Sequence, residues 1–276
     1  VEMKTGWASA EVEAALSVPQ DPTAAAFFDV DNTMVRGASI YYFARGLASR
    51  RFFSHRDLAK FAWAQVKFRV GGSEDPAEIE EAKKSALSFV AGRHVSELVG
   101  LCEEIFDELM AHRIWSGTRA LAQLHLDAGQ RVWLVTAAPV ELGDIIARRL
   151  GLTGALGTEA EVVDGIYTGR LVNDLLHGPA KPLAIGQLAA KEGLDLARCT
   201  AYSDSANDVP MLSCVGHAVA VNPDPKLRRA AHRAGWEVRD FRTVRKAAKV
   251  TAPVVVAGVL GTLAVIWAIR AARRRG

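Results

Sequence analysis

Short apolar runs that end in acidic or hydroxyl residues recur along the chain, separated by stretches with helical periodicity. Residues 23–30, TAAAFFDV, read as a first buried strand. A continuous apolar run of that length suits a parallel strand covered on both faces. Residues 131–136, 200–203 and 217–221 read as further strands, with a short one at 236–238. Helical spacing is predicted over 118–128, closed by Gly129, over 141–150, ended by Gly151, and over 182–192, with another helix starting near Asp208. Residues 155–176 look like short strands around Gly165 and Gly169. Strands alternating with helices predict an α/β fold, with a mostly parallel sheet covered on both faces.

The alternation breaks after the first strand. Aromatic and basic helical segments run from about 40 to 70, Gly71-Gly72-Ser73 and Pro76 interrupt them, and helices are predicted at about 77–91 and 95–112. This block is too long for a crossover, so 36–115 reads as an inserted helical cap. The expected organisation is a flexible segment at 1–22, a core from 23–35 and 116–240, the cap at 36–115, an apolar helix at 250–270 and a basic tail at 271–276. Residues 1–20 contain no long apolar run, and Glu2, Glu11 and Glu13 interrupt them, so they do not read as a secretory signal.

Residues 252–269, APVVVAGVLGTLAVIWAI, carry no charge, and with Val250 and Thr251 they approach the ~20 residues needed to cross the hydrocarbon core. Arg and Lys bracket the run, and Trp267 lies near its distal end, as an interfacial aromatic would. The bland alternative is a buried core helix. The expectation is a single-pass transmembrane helix with the catalytic domain in the cytoplasm.

Composition narrows the classes. Half of the 276 residues are apolar, and the net charge is only +3, which does not suit a protein that coats nucleic acid. Cys102, Cys199 and Cys214 form no CxxC pair, so neither a zinc ribbon nor a disulfide framework is indicated.

Candidate chemistry sits at the strand ends. In Asp29-Val30-Asp31-Asn32-Thr33, two carboxylates two apart could share a metal ion and a substrate oxygen, one attacking phosphorus while the other handles the leaving-group proton. Alone, the pattern also fits a turn with an Asp cap. Ser203-Asp204-Ser205-Ala206-Asn207-Asp208 follows a second apolar strand. Asp204 and Asp208, four apart, could complete an oxygen site for a hard cation that needs few carboxylates. Thr136 ends a strand where a hydroxyl could hold a phosphate oxygen, and Lys181, between Pro179 and Pro182, could neutralise nucleophile and phosphate. Taken singly, these two read as a strand-end Thr and a solvated Lys.

In this order the four motifs, above all FFDVDNT with YSDSANDVPML, resemble the haloacid dehalogenase superfamily over roughly residues 24–238. The likeness is to subfamily IB, the phosphoserine-phosphatase-like branch. The resemblance implies a Rossmann-like three-layer core with an inserted helical cap, and Mg²⁺ as cofactor. It implies Asp29 as the nucleophile that becomes aspartyl-phosphate. Asp31 would be general acid, then base, lending its backbone carbonyl to the metal. Thr136 and Lys181 would bind the phosphoryl group, and Asn207 would orient it. Asp204 would be a metal ligand, with Asp208 supporting the metal site.

At the position where that branch carries a Glu that reads a substrate amino group, this chain has Ala38. Between Arg36 and Val70 there are eight Lys or Arg against the single acid Asp57, interleaved with aromatics. That mixture suits a phosphorylated lipid or an anionic surface, or simply a cap with its own core and a solvated face. The expected function is a membrane-anchored, Mg-dependent phosphomonoesterase acting on a lipid phosphate such as lysophosphatidate. The alternatives are a phosphatase for phosphoserine or another small metabolite, and a membrane-bound regulatory or binding protein on a hydrolase fold.

Overall fold

The computed structural model describes residues 18–50, 52 and 90–242. The expected apolar helix at 250–270, the basic tail, most of the 1–22 segment and the middle of the 36–115 block lie outside the described residues. Up to Val238 the described residues form one compact unit, and those from Arg239 onward belong to a second.

Eight strands are described: β1 (Ala25–Asp29), β2 (Arg131–Pro139), β3 (Gly154–Thr158), β4 (Ala160–Val163), β5 (Ile166–Leu171), β6 (Thr200–Ser203), β7 (His217–Val221) and β8 (Glu237–Arg239). The described α-helices are α1 (Ser39–Ser49), α2 (Val95–Ile105), α3 (Ser116–Asp127), α4 (Val140–Leu150), α5 (Ala180–Glu192), α6 (Val209–Ser213) and α7 (Pro225–Ala234). The main sheet has the order β3-β2-β1-β6-β7-β8. The pairings of β1 with β2 and β6, of β2 with β3 and of β6 with β7 are all parallel. This is the α/β, Rossmann-like arrangement expected. β4 and β5 form a separate antiparallel hairpin.

Strand alternation divides the core. Phe27 faces a cluster with Ile185 and Leu188 of α5, Met211 and Leu212 of α6, and Leu227 of α7. Phe28 faces the other way, stacking on Tyr202 with ring centroids 4.2 Å apart and meeting His125 of α3 edge-on. Both Phe side chains are fully buried, each worth about 1.5–3 kcal/mol by area. His125 is buried too. Its Nδ1 is 2.7 Å from Gln130 Oε1, and its Nε2 is 2.7 Å from the Tyr202 hydroxyl. Gln130 Nε2 donates to Pro19 O, so its Oε1 faces the ring and the proton belongs on Nδ1. α4 and α5 end at Gly151 and Gly193, both left-handed, the conformation in which glycine pays no Cβ penalty.

Between β1 and β2 the chain leaves and returns side by side. Arg36 N–H donates to Arg113 O and Trp115 N–H to Met34 O, both at 2.9 Å. Arg36 also donates through its guanidinium to the His112 and Arg113 carbonyls. The helix expected at 95–112 is continuous but changes type: α2 passes into a π-helical turn, Phe106–Met110, then a 3₁₀ turn, Ala111–Arg113. Asp107 of the π turn pairs with Arg149 of α4, Glu103 with Arg148, and Glu108 with Arg50.

α1 and α2 cross at Gly46, where an added Cβ would lie 2.4 Å from Ile105 Cγ1. Ala favours a helix over Gly by about 1 kcal/mol, but overpacking against a fully buried Ile costs about 1–3 kcal/mol. Gly46→Ala is therefore expected to lower the denaturant midpoint without changing the slope. An unchanged or higher midpoint would show that the two helices part freely.

The membrane localisation expected from the apolar run is corrected. Among the described residues, no helix is long and apolar enough to cross a membrane. The longest described α-helix, α5, has 13 residues, or about 20 Å at about 1.5 Å per residue, against about 30 Å of hydrocarbon, and the longer helical run through α2 and its π turn carries Glu97, Glu103, Glu104, Asp107 and Glu108. A single-pass anchor with a cytoplasmic domain is not carried forward.

Candidate active site

β1 and β6 lie where the strand order reverses, and in open parallel sheets the crevice at the carboxyl ends of such strands is the usual ligand site. Register aligns the acidic strand ends. Phe28 pairs with Tyr202, which sets Asp29 beside Ser203, and Asp29 pairs with Val135, one residue before Thr136.

Lys181 joins the strand ends. It is the second residue of α5 and only 3% exposed. Its Nζ donates to Asp29 Oδ1 at 2.7 Å and lies 2.8 Å from Asp208 Oδ1. Ser203 Oγ donates to Asp208 Oδ2 at 2.7 Å, fixing that carboxylate's other oxygen. A buried ammonium would ordinarily lose its proton. Burial does press the Lys181 pKa down, but the carboxylates of Asp29 and Asp208 outweigh it and the pKa ends raised.

The acids respond to the same crowding. Burial pushes Asp29 up to about 7; Lys181 opposes the rise, and Asp208 and Asp31 add to it. Burial, then the neighbouring Asp208 and Asp224, push Asp204 up to about 7 as well. Thr33 Oγ1 donates to Asp204 Oδ1 at 3.4 Å, linking the loop after β1 to the loop after β6.

Burial raises both carboxyls, on Asp29 even against the Lys181 ammonium, and their oxygens are hard donors. Both features fit Mg²⁺, which takes one or two carboxylates and keeps water. Among the described residues, no three His, Cys, Asp or Glu side chains gather into a metal cluster. A site built from Asp29, Asp204 and a backbone carbonyl needs only two.

The remaining expected residues are placed differently. Asp31 turns toward α1, its Oδ1 accepting from Ser39 N at 2.8 Å and from Ser39 Oγ at 2.5 Å. Thr136 is buried at the β2 irregularity, where its Oγ1 accepts from the Ala138 N–H at 3.1 Å. Asn207 is exposed, and its backbone N–H donates to Ser205 Oγ.

The sequence reading missed Ser39, Ser203 and Asp224. Asp224 caps α7 through the Lys226 and Leu227 N–H groups and also accepts from Ala206 N–H, while its own N–H donates to Asp204 O. Burial works against its charge, but the N–H groups of Ala206, Leu227 and Lys226 outweigh it and lower its pKa. Its signal was the Asp224-Pro225 pair, an N-cap followed by Pro at the first helical position.

The family model described as haloacid dehalogenase-like hydrolase matches residues 26–213. A phosphoserine phosphatase of Mycobacterium tuberculosis is 58% identical over 257 residues, covering 93% of this chain and 83% of that protein. A probable phosphatase of the same species is 35% identical over 230 residues, covering 83% and 79%. Among solved structures, a protein of unknown function from Bordetella pertussis superposes with a TM-score of 0.70. It is 31% identical, and the match covers 79% of this chain and 98% of that one.

Proposed function

Because the chain belongs to the haloacid dehalogenase-like hydrolase family, matched over residues 26–213, we propose that it hydrolyses phosphomonoesters of small metabolites through a phosphorylated Asp29. It is an enzyme, a phosphatase. The chief support for the finer proposal is the buried Asp29–Lys181–Asp208 arrangement at the reversal point of the sheet.

A phosphoryl group is held by Lys181, whose third N–H hydrogen remains for a phosphate oxygen, and by Thr136, whose hydroxyl keeps its own hydrogen while accepting from Ala138 N–H. Asn207 borders the same loop. Asp29 attacks phosphorus, the bond to the ester oxygen breaks, and Asp31 gives the departing alkoxide its proton. Asp31 then takes a proton from the water that attacks the aspartyl-phosphate, which releases phosphate and regenerates Asp29. Asp29, Asp204 and the Asp31 carbonyl, with Asp208 in support, would hold Mg²⁺, which supplies charge neutralisation to the phosphoryl oxygens. Alignment and charge stabilisation are most of what phosphoryl transfer asks of a protein. In this proposal residues 36–115 act as the cap over the site.

Phosphoserine is the first substrate to test, being the substrate in the name of a 58% identical relative. The first turn of α1, beside Asp31, carries no acidic residue, so a substrate ammonium finds no partner there. Other small phosphate esters therefore belong in the same panel. A lipid phosphate has less behind it, since the 58% identical relative carries a small phosphate ester in its name.

Phosphate release in Mg²⁺ is expected from at least one small ester of the panel, and removal of the ion by chelation is expected to suppress it. A folded wild-type chain that releases phosphate from no member of the panel would sink the proposal.

A further inference from the structure

We propose that Ser39 is a positioning residue for Asp31, fixing which of its carboxyl oxygens carries the transferable proton. The inference rests on the role proposed above for Asp31. Ser39 is the first residue of α1 and wholly buried. Its hydroxyl and its backbone N–H both donate to one oxygen, Oδ1 of Asp31, at 2.5 and 2.8 Å. Ala38, in the N-cap position, supplies no side-chain bond, so Asp31 satisfies the helix end from eight residues upstream.

An oxygen that accepts two hydrogen bonds at a helix N-terminus is held as an acceptor. A proton placed on Oδ1 would make it a poor acceptor for the Ser39 N–H and would force the Ser39 hydroxyl to turn from donor to acceptor. The proton therefore resides on Oδ2, and the two Ser39 bonds fix the plane in which Oδ2 is presented. When the ester bond breaks, Oδ2–H passes its proton to the alkoxide. When water attacks the aspartyl-phosphate, Oδ2 takes the proton back. Without the Ser39 hydroxyl, the carboxyl can rotate about the single remaining bond, and either oxygen can carry the proton.

Leaving groups of different basicity distinguish positioning from plain helix capping. An alkyl alcohol needs the proton in order to leave, whereas a nitrophenol departs as its anion. The experiment compares kcat/KM, which reports steps up to phosphorylation of Asp29, for an alkyl phosphate and for nitrophenyl phosphate. Both are measured on one preparation of Ser39→Ala, so any unfolded fraction cancels in the ratio. General acid catalysis is worth about 10²–10⁴-fold, and losing its alignment is expected to lower the alkyl-to-aryl ratio about 10- to 100-fold relative to wild type. Equal losses on both substrates, or no loss on either, would overturn the inference. If Ser39→Ala does not fold, Ser39→Cys keeps a similar volume with a far weaker donor and is read in the same way. Failure of the phosphatase proposal itself would look different: the wild-type chain would turn over neither ester.

Discussion

Asp29→Asn is expected to lower phosphate release by about four orders of magnitude or more, the scale seen when a covalent nucleophile is removed from a site whose members act as a unit. An amide of the same shape cannot form the aspartyl-phosphate. Its carbonyl can still accept from Lys181 Nζ, which now lies 2.7 Å from Asp29 Oδ1, so the fold should persist. Thermal melting separates the two effects. With chelator present, the folded wild type holds Asp29 with its pKa raised from 3.8 to about 7, chiefly by burial. An acid whose pKa is higher folded than unfolded costs nothing below the unfolded value. Its cost grows as pH rises from about 4 to 7 and is constant above that. The amide does not ionise and carries no such cost. The melting temperature of Asp29→Asn relative to wild type should therefore rise from pH 4 to pH 8 in chelator, while activity in Mg²⁺ is lost. Activity within tenfold of wild type would rule out Asp29 as the nucleophile.

How much of this site could be read from the chain depended on whether the signal was local. The acid that ends β1 and the one that follows β6 were legible because a buried strand is an apolar run, and a carboxylate at its end interrupts the run. That Lys181 bridges Asp29 and Asp208 was only partly visible, since no periodicity records a contact across 152 residues. The spacing predicts a helix from about 182, yet α5 begins at Ala180 and carries Lys181 in its first turn, bonded to the residues at the strand ends. The change from α2 to a π turn was not legible. In it Asp107 meets Arg149 of α4 and Glu108 meets Arg50, just past the end of α1, a tertiary demand that leaves the apolar spacing unchanged. Ser39 carried no signal in the sequence, standing just ahead of the helical stretch expected from about 40. Its partner is fixed by the tight turn at Asn32, where φ is 57° and Asn32 Oδ1 accepts from Gly37 N–H, which folds Asp31 back onto α1.

Lys181→Met is the variant with the second largest expected effect, and it acts on both stability and chemistry. The ammonium is the bonded cation between two buried carboxylates, 2.7 and 2.8 Å away. Removing one partner from a buried ion pair costs about 3–5 kcal/mol, because the other charge stays behind without compensation. Here two carboxylates stay behind, so the cost should fall at the upper end in metal-free protein. Losing one preorganised donor to the phosphoryl group costs a further 10²–10³-fold in kcat, on the scale of about 3–4 kcal/mol in the transition state. The double variant Lys181→Met with Asp208→Asn separates the two roles. The Asp208→Asn change removes one of the two stranded charges, and the new amide oxygen can still accept from Ser203 Oγ, so about half of the lost stability should return. Activity should not return with it, because neither Met nor Asn supplies positive charge to the transferring group. If the double variant recovered activity along with stability, Lys181 would be a structural counter-ion only, and the phosphoryl group would have to be held by other residues.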